Sequence, residues 1–357
     1  MNIGISTVHY AHNYGAMLQG YALKTYLEQQ GHYVTMTDRR ARVNTYLPKR
    51  KPFLWNDLKA VLLYPKYLLK WYFPPCYYLK KRWRAFDSFL KQYLNNTKCL
   101  EAYDTIIYGS DQIWSKFPDR GYDPIWWGLD NLKAKRRISY AASMGVVDIA
   151  DKKDEDFIRQ ALSRFDAISV RESDLKAELE SRHLADTTIY QTIDPTFLLT
   201  KEDWDKITPK RIIHEPYLLF YDFQIDEETT NMVNRIAKEK NLRVIRLTNG
   251  VVHSNKDADY FRTAGPLQFL SLIKYADFVF SSSFHGVAFS LIFRKQFAVR
   301  QIWNVQRVKS LLSLCGLSAR FWEKYDAPLT DIEYEGKNKI LEDFICQSKQ
   351  FLNSNVA

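Results

Sequence analysis

Short apolar runs alternate with longer amphipathic stretches along most of this chain of 357 residues. The runs have the length of buried strands, and the stretches between them have helical spacing. Strands are predicted at residues 3–8, 33–38, 103–108, 137–142, 167–170, 188–193, 217–223, 243–247 and 278–281. Helices are predicted at residues 16–30, 154–164, 174–181, 227–240, 267–275 and 337–352. This alternation predicts an α/β fold with parallel sheets that are covered on both faces.

Polar residues gather where these predicted strands end. The residues that share this position are Asn13, Ser110, Asp111, Ser143, Arg171, Asp194, Ser283 and His285. Open α/β sheets bind ligands in the crevice beyond the carboxyl ends of their strands. A polar stretch with two prolines, residues 199–216, interrupts the series. We therefore predict two Rossmann-like domains, residues 1–205 and 206–357, which face each other across a cleft in a GT-B-like glycosyltransferase architecture.

Composition narrows the class of protein. With 46% apolar and 26% charged residues, the chain has enough core for a globular protein of this length. The four cysteines are far apart and form no metal-binding pattern, which favours reduced thiols in a cytoplasmic protein. The N-terminus has no signal-peptide pattern, and no apolar run reaches about 18 residues. We expect neither a metal site nor a transmembrane helix.

Charge is concentrated in one part of the chain. Residues 39–98 contain 15 Lys and Arg against two acids, so their net charge is +13. The whole chain has a net charge of +10, so the remaining residues together carry −3. Fourteen Trp, Tyr and Phe residues lie within residues 39–98. We call residues 40–98 the basic aromatic segment and predict that it contacts an anionic membrane surface, with an interfacial helix at 62–73. Nucleic acid is the less favoured partner, and a solvated helix would not explain the aromatics.

The junction at residues 277–293 carries the clearest chemistry. A strand runs into three serines, then His285, Gly286 and a second apolar run. Unpaired amides and the helix dipole make such a junction an anion site, to which Ser282 and Ser283 could contribute. A histidine there can move protons near neutral pH. The alternative is that the serines are helix caps and His285 is structural.

Several segments resemble a known family. They are Asn13-Tyr14-Gly15-Ala16-Met17-Leu18-Gln19, Gly109-Ser110-Asp111-Gln112-Ile113-Trp114, Ser139-Tyr140-Ala141-Ala142-Ser143, Ser169-Val170-Arg171-Glu172-Ser173, Ile193-Asp194-Pro195-Thr196-Phe197-Leu198-Leu199 and Ser283-Phe284-His285-Gly286. In this order, from residue 2 to about 317, the chain resembles the polysaccharide pyruvyl transferases. The basic aromatic segment is the part least covered.

The resemblance implies an activity and its partners. The enolpyruvyl carbons of phosphoenolpyruvate would move onto two hydroxyls of one sugar and form a cyclic ketal, without a nicotinamide cofactor or an obligatory metal. Residues 1–205 would hold the acceptor, and residues 206–357, with the C-terminal helix, would hold the donor. We expect a lipid-linked saccharide acceptor, carried on polyprenyl diphosphate in capsule, exopolysaccharide or cell-wall polymer synthesis at the inner face of the bacterial plasma membrane.

The donor's phosphate and carboxylate require cations. Arg171 is the first candidate, because the planar guanidinium grips such groups with two bonds; the alternative is an ion pair with Glu172 or Asp174. His285 is the candidate general acid and base. Some relatives carry an arginine where this chain has Ser283, so another cation must replace it. Arg307, which matches a family position, and Arg300 are the candidates.

The acceptor side offers hydrogen-bonding groups. The candidates for binding the sugar are Asn13, Gly15, Gln19, Ser110, Asp111, Gln112 and Ser143. Asp111 could also orient an attacking hydroxyl, although it could instead be a helix cap. Asn13 could instead be a turn residue. Two other functions remain open. One is a nucleotide-sugar-dependent glycosyltransferase, although its glycine-rich donor pattern is absent. The other is a non-catalytic membrane-surface binding protein.

Overall fold

The computed structural model describes residues 1–37, 73–95, 97–222, 226–248, 259–300, 305–322, 330–335 and 339–356. The interfacial helix predicted at residues 62–73 lies almost wholly outside them. Up to residue 207, the elements are β1 (Asn2–Ser6), α1 (Tyr14–Gln29), β2 (Tyr33–Met36), α2 (Phe73–Phe89), β3 (Ala102–Tyr108), β4 (Lys133–Ser139), α3 (Lys152–Leu162), β5 (Ile168–Val170), α4 (Ser173–Ser181), β6 (Ile189–Gln191) and α5 (Lys201–Ile207).

The remaining elements form a second series of strands and helices. They are β7 (Tyr217–Asp222), α6 (Glu227–Glu239), β8 (Arg243–Thr248), β9 (Asp259–Tyr260), α7 (Pro266–Lys274), β10 (Phe278–Ser281), α8 (Phe284–Ile292), β11 (Phe297–Val299), α9 (Val305–Leu314) and α10 (Lys339–Val356).

Two parallel sheets organise the chain. The first has the order β2-β1-β3-β4. The parallel pair β5-β6 continues it, because isolated bridges join Ile138 to Ala167 and Ala142 to Val170. The second sheet has the order β11-β10-β7-β8-β9. The predicted α/β class with two parallel sheets is confirmed, and the strand ends within each sheet share one edge.

The two sheets share one continuous apolar core. Buried residues of the first sheet and of α1 belong to the same cluster as residues of the second sheet. Tyr14, fully buried at the start of α1, stacks on Phe269 of α7 at 4.7 Å between ring centroids. Its hydroxyl donates a hydrogen bond of 2.9 Å to the carbonyl of Ala264. The start of α1 therefore lies between the two halves of the chain.

The C-terminal helix packs on the first sheet, although it was predicted to belong with the second half of the chain. Thr105 of β3 donates a hydrogen bond of 2.8 Å to the carbonyl of Val356. The backbone amide of Ile193 donates to the Ser348 hydroxyl at 2.9 Å. The apolar face of α10 covers this sheet, with Phe351 against Tyr140. The predicted division at residue 205 stays a prediction.

The largest boundary error concerns β4, predicted at 137–142. The strand begins at Lys133 because residues 133–136 pair with β3 although their side chains are charged or small. It ends at Ser139, shortly before Ala141 adopts a positive φ of 46°. The hydrophobic periodicity and the polarity of residues 133–136 did not indicate that this N-terminal end of the strand is paired.

Helix α2 lies in the described part of the basic aromatic segment. Its Phe86 and Phe89 are buried in the shared core, and Ala85 lies against Gly265. Trp83 is 42% exposed. Among the described residues, no helix combines the length and the apolar character needed to cross a bilayer.

Candidate active site

Arg171 is the centre of a buried ion-pair cluster. It follows β5, and its side chain is only 4% exposed. Its Nη1 donates a hydrogen bond of 2.7 Å to Oδ2 of Asp194, which follows β6, and its Nε donates to Oε1 of Glu172 at 3.0 Å. Burial alone would lower the pKa of Arg171, but Glu172 and Asp194 outweigh it and raise the pKa. Arg171 is therefore permanently charged, and two carboxylates already balance it.

His285 joins this cluster from the second sheet. It lies in the first turn of α8, and its Nε2 is 3.6 Å from Oδ2 of Asp194. Burial would raise the pKa of Asp194, but His285 and Arg171 hold it well below its usual value. Asp194 is therefore a carboxylate that can balance an imidazolium at His285. Carboxylate and imidazole in this arrangement can support proton transfer.

Gly15 lets the His285 ring approach the backbone of α1. A Cβ on Gly15 would lie 2.5 Å from Cε1 of His285 and closer still to Nδ1 and Cγ. Real Cβ atoms do not approach other atoms this closely, so the ring packs against the bare glycine. The structure thus shows Gly15 in contact with His285 across the two halves of the chain. Sugar binding by Gly15 stays a prediction.

Arg307 of α9 supplies a second guanidinium. Nη1 of Arg307 is 3.8 Å from Oδ1 of Asp111. Nη2 of Arg171 lies at the same distance from that oxygen. The Phe284 ring contacts both cations, with centroid distances of 4.8 Å to Cζ of Arg171 and 5.8 Å to Cζ of Arg307. Burial, together with the like charge of Arg171, lowers the pKa of Arg307. Arg307 is thus the less compensated of the two cations.

Several buried polar atoms of this cluster lack a partner. Among the described residues, no hydrogen bond is made by Nη2 of Arg171, Nε of Arg307, Nε2 of His285 or Oε2 of Glu172. Buried polar atoms are nearly always hydrogen-bonded, and leaving one unpaired costs about 1–3 kcal/mol. Both donors and an acceptor are available here, so the cluster can bind a ligand that carries an anionic group and a hydroxyl.

A cleft of about 510 Å³ lies beside the cluster. Its walls include Arg171, Glu172 and Asp194 from the first half of the chain and Phe284 and Arg307 from the second. This volume falls in the range of small-molecule sites. The structure therefore places both guanidinium groups at an opening large enough for a substrate.

Ser110 and Gln19 are both completely buried. The Gln19 side chain donates to the hydroxyl of Thr7 at 2.9 Å and accepts from the backbone amide of Ser110 at 3.3 Å. The Ser110 hydroxyl lies 3.5 Å from Oδ2 of Asp194. This geometry favours a supporting role for Gln19, because its amide group is used within the protein. Its predicted contact with sugar stays a prediction.

Other predicted acceptor residues make local bonds. The Asn13 side chain accepts from the amide of Ala16 at 3.2 Å and caps α1, whereas the alternative considered for Asn13 was a turn. The Ser143 hydroxyl accepts from the amide of Gly145 at 3.1 Å. Gln112 lies directly against Gly145. Sugar binding by these residues stays a prediction.

The serines and the glycine of the junction shape the start of α8. The amide of Ser283 donates to the Ser281 hydroxyl at 3.0 Å, and the amide of Ser282 donates to the carbonyl of Tyr221 at 3.1 Å. A Cβ on Gly286 would lie 2.8 Å from Cβ of Ser281 and closer to its hydroxyl. The glycine therefore permits close helix–strand packing. Anion binding by the first amides of α8 stays a prediction.

Arg300 is engaged elsewhere. Its Nη1 donates to both carboxylate oxygens of Asp226, at 2.8 and 2.9 Å, and to the Thr229 hydroxyl at 2.6 Å. Its Nη2 donates to Glu228 at 2.5 Å. These partners belong to the start of α6, so its guanidinium is already used. Of the two predicted replacement cations, Arg307 is the one that the structure brings to the cluster.

No catalytic or binding role was predicted for three members of the cluster, Asp194, Glu172 and Phe284. Asp194 was noted only as a strand-end residue, and Glu172 only as a possible partner of Arg171. A signal was available, because both carboxylates lie within three residues of the ends of short strands that pair in parallel. No group of three or more potential metal ligands lies among the described residues.

Comparison with known proteins gives a family match. The family model "Polysaccharide pyruvyl transferase" matches residues 13–300, which include every member of the cluster except Arg307. No curated protein matches the chain.

Solved structures resemble the chain only distantly. The S. aureus MnaA-UDP co-structure is 12% identical, with 99% of this chain and 87% of the other covered at a TM-score of 0.45. UDP-GlcNAc 2-epimerase from Methanocaldococcus jannaschii is 10% identical, with 98% and 92% covered and a TM-score of 0.44. The glycosyltransferase SnogD from Streptomyces nogalater is 12% identical, with 99% and 95% covered and a TM-score of 0.38. Likenesses of this size carry no argument about function.

Proposed function

Because this chain belongs to the polysaccharide pyruvyl transferase family, we propose that it transfers pyruvate from phosphoenolpyruvate to two hydroxyls of a saccharide. The products are a cyclic pyruvate ketal and inorganic phosphate. The observation that carries this proposal is that Arg171 and Arg307 line one cleft, while His285 lies 3.6 Å from Asp194 in the wall of that cleft. Two cations suit a donor with two anionic groups, and the histidine suits a reaction that must move protons.

Arg307 is the proposed phosphate-binding cation. Its Nε lacks a partner among the described residues, and its nearest carboxylate, Asp111, is 3.8 Å away. Arg171 is already held by Glu172 and Asp194, which leaves its Nη2 for the donor carboxylate. The first amides of α8 add donors for the phosphate. In this assignment the donor's phosphate and carboxylate are bound by the unpaired atoms of the two guanidinium groups, and no existing hydrogen bond is disturbed.

His285 is the proposed acid that protonates C3 of phosphoenolpyruvate. The reaction begins when a sugar oxygen attacks C2 and the double-bond electrons take a proton at C3. Asp194, a buried carboxylate 3.6 Å from Nε2, balances the imidazolium that supplies this proton. The Phe284 and Gly15 contacts limit the positions that the ring can adopt. A fixed ring is what efficient proton transfer requires.

The acceptor is proposed to be a lipid-linked saccharide, presented at the inner face of the plasma membrane. Helix α2 supports this proposal, because its exposed face carries Trp83 beside Lys80, Lys81 and Arg84. Basic residues near an anionic surface contribute about 1 kcal/mol each, and tryptophan favours headgroup depth. The buried face of the same helix packs into the core, so a membrane contact through α2 would be rigidly joined to the rest of the chain.

The test is phosphate release from phosphoenolpyruvate with hexose acceptors that carry a free diol. We expect release together with an acceptor whose mass has increased by one pyruvate ketal. His285→Gln should abolish both while leaving phosphoenolpyruvate binding, measured by calorimetry, in place. Absence of phosphate release with every such hexose, free or lipid-linked, would contradict the proposal. Binding of a UDP-sugar in place of phosphoenolpyruvate would favour a glycosyltransferase instead.

A further inference from the structure

Glu172 has a buried carboxylate oxygen that nothing in the cluster uses. Its side chain is 3% exposed, and it lines the cleft. Oε1 accepts the hydrogen bond from Nε of Arg171, but Oε2 has no partner among the described residues. Glu172 also precedes α4, yet its side chain makes no capping bond to that helix. The carboxylate is turned away from the usual N-cap partner and toward the arginines.

An unpaired carboxylate oxygen needs a donor, and an anionic substrate has none. Phosphoenolpyruvate brings a carboxylate and a phosphate, so neither of its charged groups would stabilise Oε2. A sugar hydroxyl is a donor, and it is the group that must lose a proton in the reaction. Its other oxygen, Oε1, is 3.0 Å from Nε of Arg171 in an ion pair, so Oε2 is the oxygen left for a substrate hydroxyl. The chemistry of the site therefore matches a hydroxyl to this oxygen.

We propose, on the basis of the proposed function, that Glu172 is the catalytic base that binds and deprotonates the first attacking hydroxyl. As the sugar oxygen bonds to C2, its proton passes to Oε2 of Glu172. In the same addition, the double-bond electrons of the donor take a proton from the His285 imidazolium at C3. The product of this step is an open adduct that still carries the phosphate.

The second half of the reaction restores both groups. The second hydroxyl attacks C2 as the bond from C2 to the phosphate oxygen breaks, and its proton passes to the neutral His285. The departing phosphate takes the proton from Glu172. Two hydroxyl protons are lost and two are gained, one at C3 and one on phosphate, so the cycle closes without another acid or base. His285 and Glu172 are linked through Asp194 and Arg171, which places them on one connected cluster.

Glu172→Gln is the decisive variant, because the amide oxygen can still accept from Nε of Arg171. We expect phosphoenolpyruvate affinity and acceptor KM close to those of the wild type and kcat reduced on the order of 10²–10⁴-fold. Glu172→Ala should regain part of this activity when formate is added. Asp174→Asn is the matched control, since Asp174 is an exposed carboxylate two residues away. It should retain wild-type kcat, and thermal melting establishes that all variants fold.

Two results would overturn the role of Glu172. One is a Glu172→Gln enzyme with wild-type kcat, and the other is a higher acceptor KM with kcat unchanged, which would indicate binding alone. If wild-type protein transfers no pyruvate, the proposed function fails, and binding still tests Glu172. In that case methyl galactoside binding, measured by calorimetry with phosphoenolpyruvate present, should weaken in Glu172→Ala but not in Asp174→Asn. Equal binding by both variants would exclude Glu172 as a hydroxyl ligand.

Discussion

Gly15→Ala should inactivate the enzyme by displacing the ring of His285, without removing any functional side chain. The added methyl would lie 2.5 Å from Cε1 of the imidazole and closer to Nδ1. Carbon atoms in contact are about 3.5–4.0 Å apart, so the ring or the start of α1 must retreat by roughly 1 Å or more. A displacement of about 1 Å at a reacting group can reduce the rate about 100-fold. We expect a loss of kcat of that order.

Gly20→Ala on the same helix is the matched control. A Cβ there would meet Met36, His9 and Thr7 at 3.6–3.7 Å, which is ordinary van der Waals contact. Alanine gains about 0.5–1 kcal/mol over glycine in a helix interior, so this variant should be as stable as the wild type or more stable. Gly15→Ala should lose stability, because crowding in a packed region costs about 1–3 kcal/mol.

The assay is phosphate release at saturating phosphoenolpyruvate and acceptor, with urea unfolding measured in parallel. The expected pattern is a large loss of kcat in Gly15→Ala at a small loss of stability, and neither loss in Gly20→Ala. Donor affinity should persist, because Arg307, the proposed phosphate-binding cation, belongs to α9 and not to either of the helices that meet at Gly15. A Gly15→Ala enzyme with wild-type kcat would refute the argument that the imidazole position governs the chemistry.

Three further outcomes test the remaining assignments. Arg307→Ala should raise the KM for phosphoenolpyruvate roughly 10–100-fold, because a charge-assisted hydrogen bond contributes about 1.5–3 kcal/mol. Arg300→Ala should lower only the free energy of unfolding. Equal KM values in both variants would contradict the choice of Arg307. Asp194→Asn should lower the free energy of unfolding by about 3–5 kcal/mol, because it breaks a buried ion pair. The pKa of Asp194 is lower in the folded state than its unfolded value of about 3.9, so its carboxylate stabilises the fold above that pH, and this stabilisation is lost as the pH falls below it. The urea midpoints of wild type and variant should therefore converge in acid. A difference that stays constant with pH would refute this. Replacing the three exposed basic residues of α2 with glutamate should weaken sedimentation with anionic vesicles, and unchanged sedimentation would remove the support that α2 gives to a membrane contact.

The alternation of apolar and amphipathic segments predicted the two parallel sheets because that signal is local. The rule that parallel strands end at one edge also brought Arg171 and Asp194 together, since each follows a short strand of the same pair. Contacts between distant segments were not accessible in this way. Nothing near Gly15 indicates that His285, 270 residues later, will pack against it, or that α10 will return to the first sheet.

The strand-end rule also fails in an instructive way at Arg300. The residue follows β11, as a cleft residue would, but the acidic start of α6 captures its guanidinium. The position of a residue in the chain predicts the edge of the sheet at which its backbone lies. The direction in which its charged side chain points depends on the carboxylates nearby. The same competition acts on Arg171, which was predicted as a donor ligand and whose Nε and Nη1 are bound to carboxylates.

The distribution of charge explains how this chain can use serine where some relatives carry an arginine beside the histidine. Asp111, Glu172 and Asp194 lie beside Arg171, Arg307 and His285, and burial together with Arg171 already lowers the pKa of Arg307. A donor phosphate would supply Arg307 with the negative partner that it lacks at hydrogen-bond distance. A third guanidinium at Ser283, which is itself buried, would have to share that phosphate with a cation already in place. Delivery of the cation from α9 therefore makes an arginine at position 283 unnecessary for charge balance, and it leaves the Ser283 amide bonded to Ser281 at the start of α8.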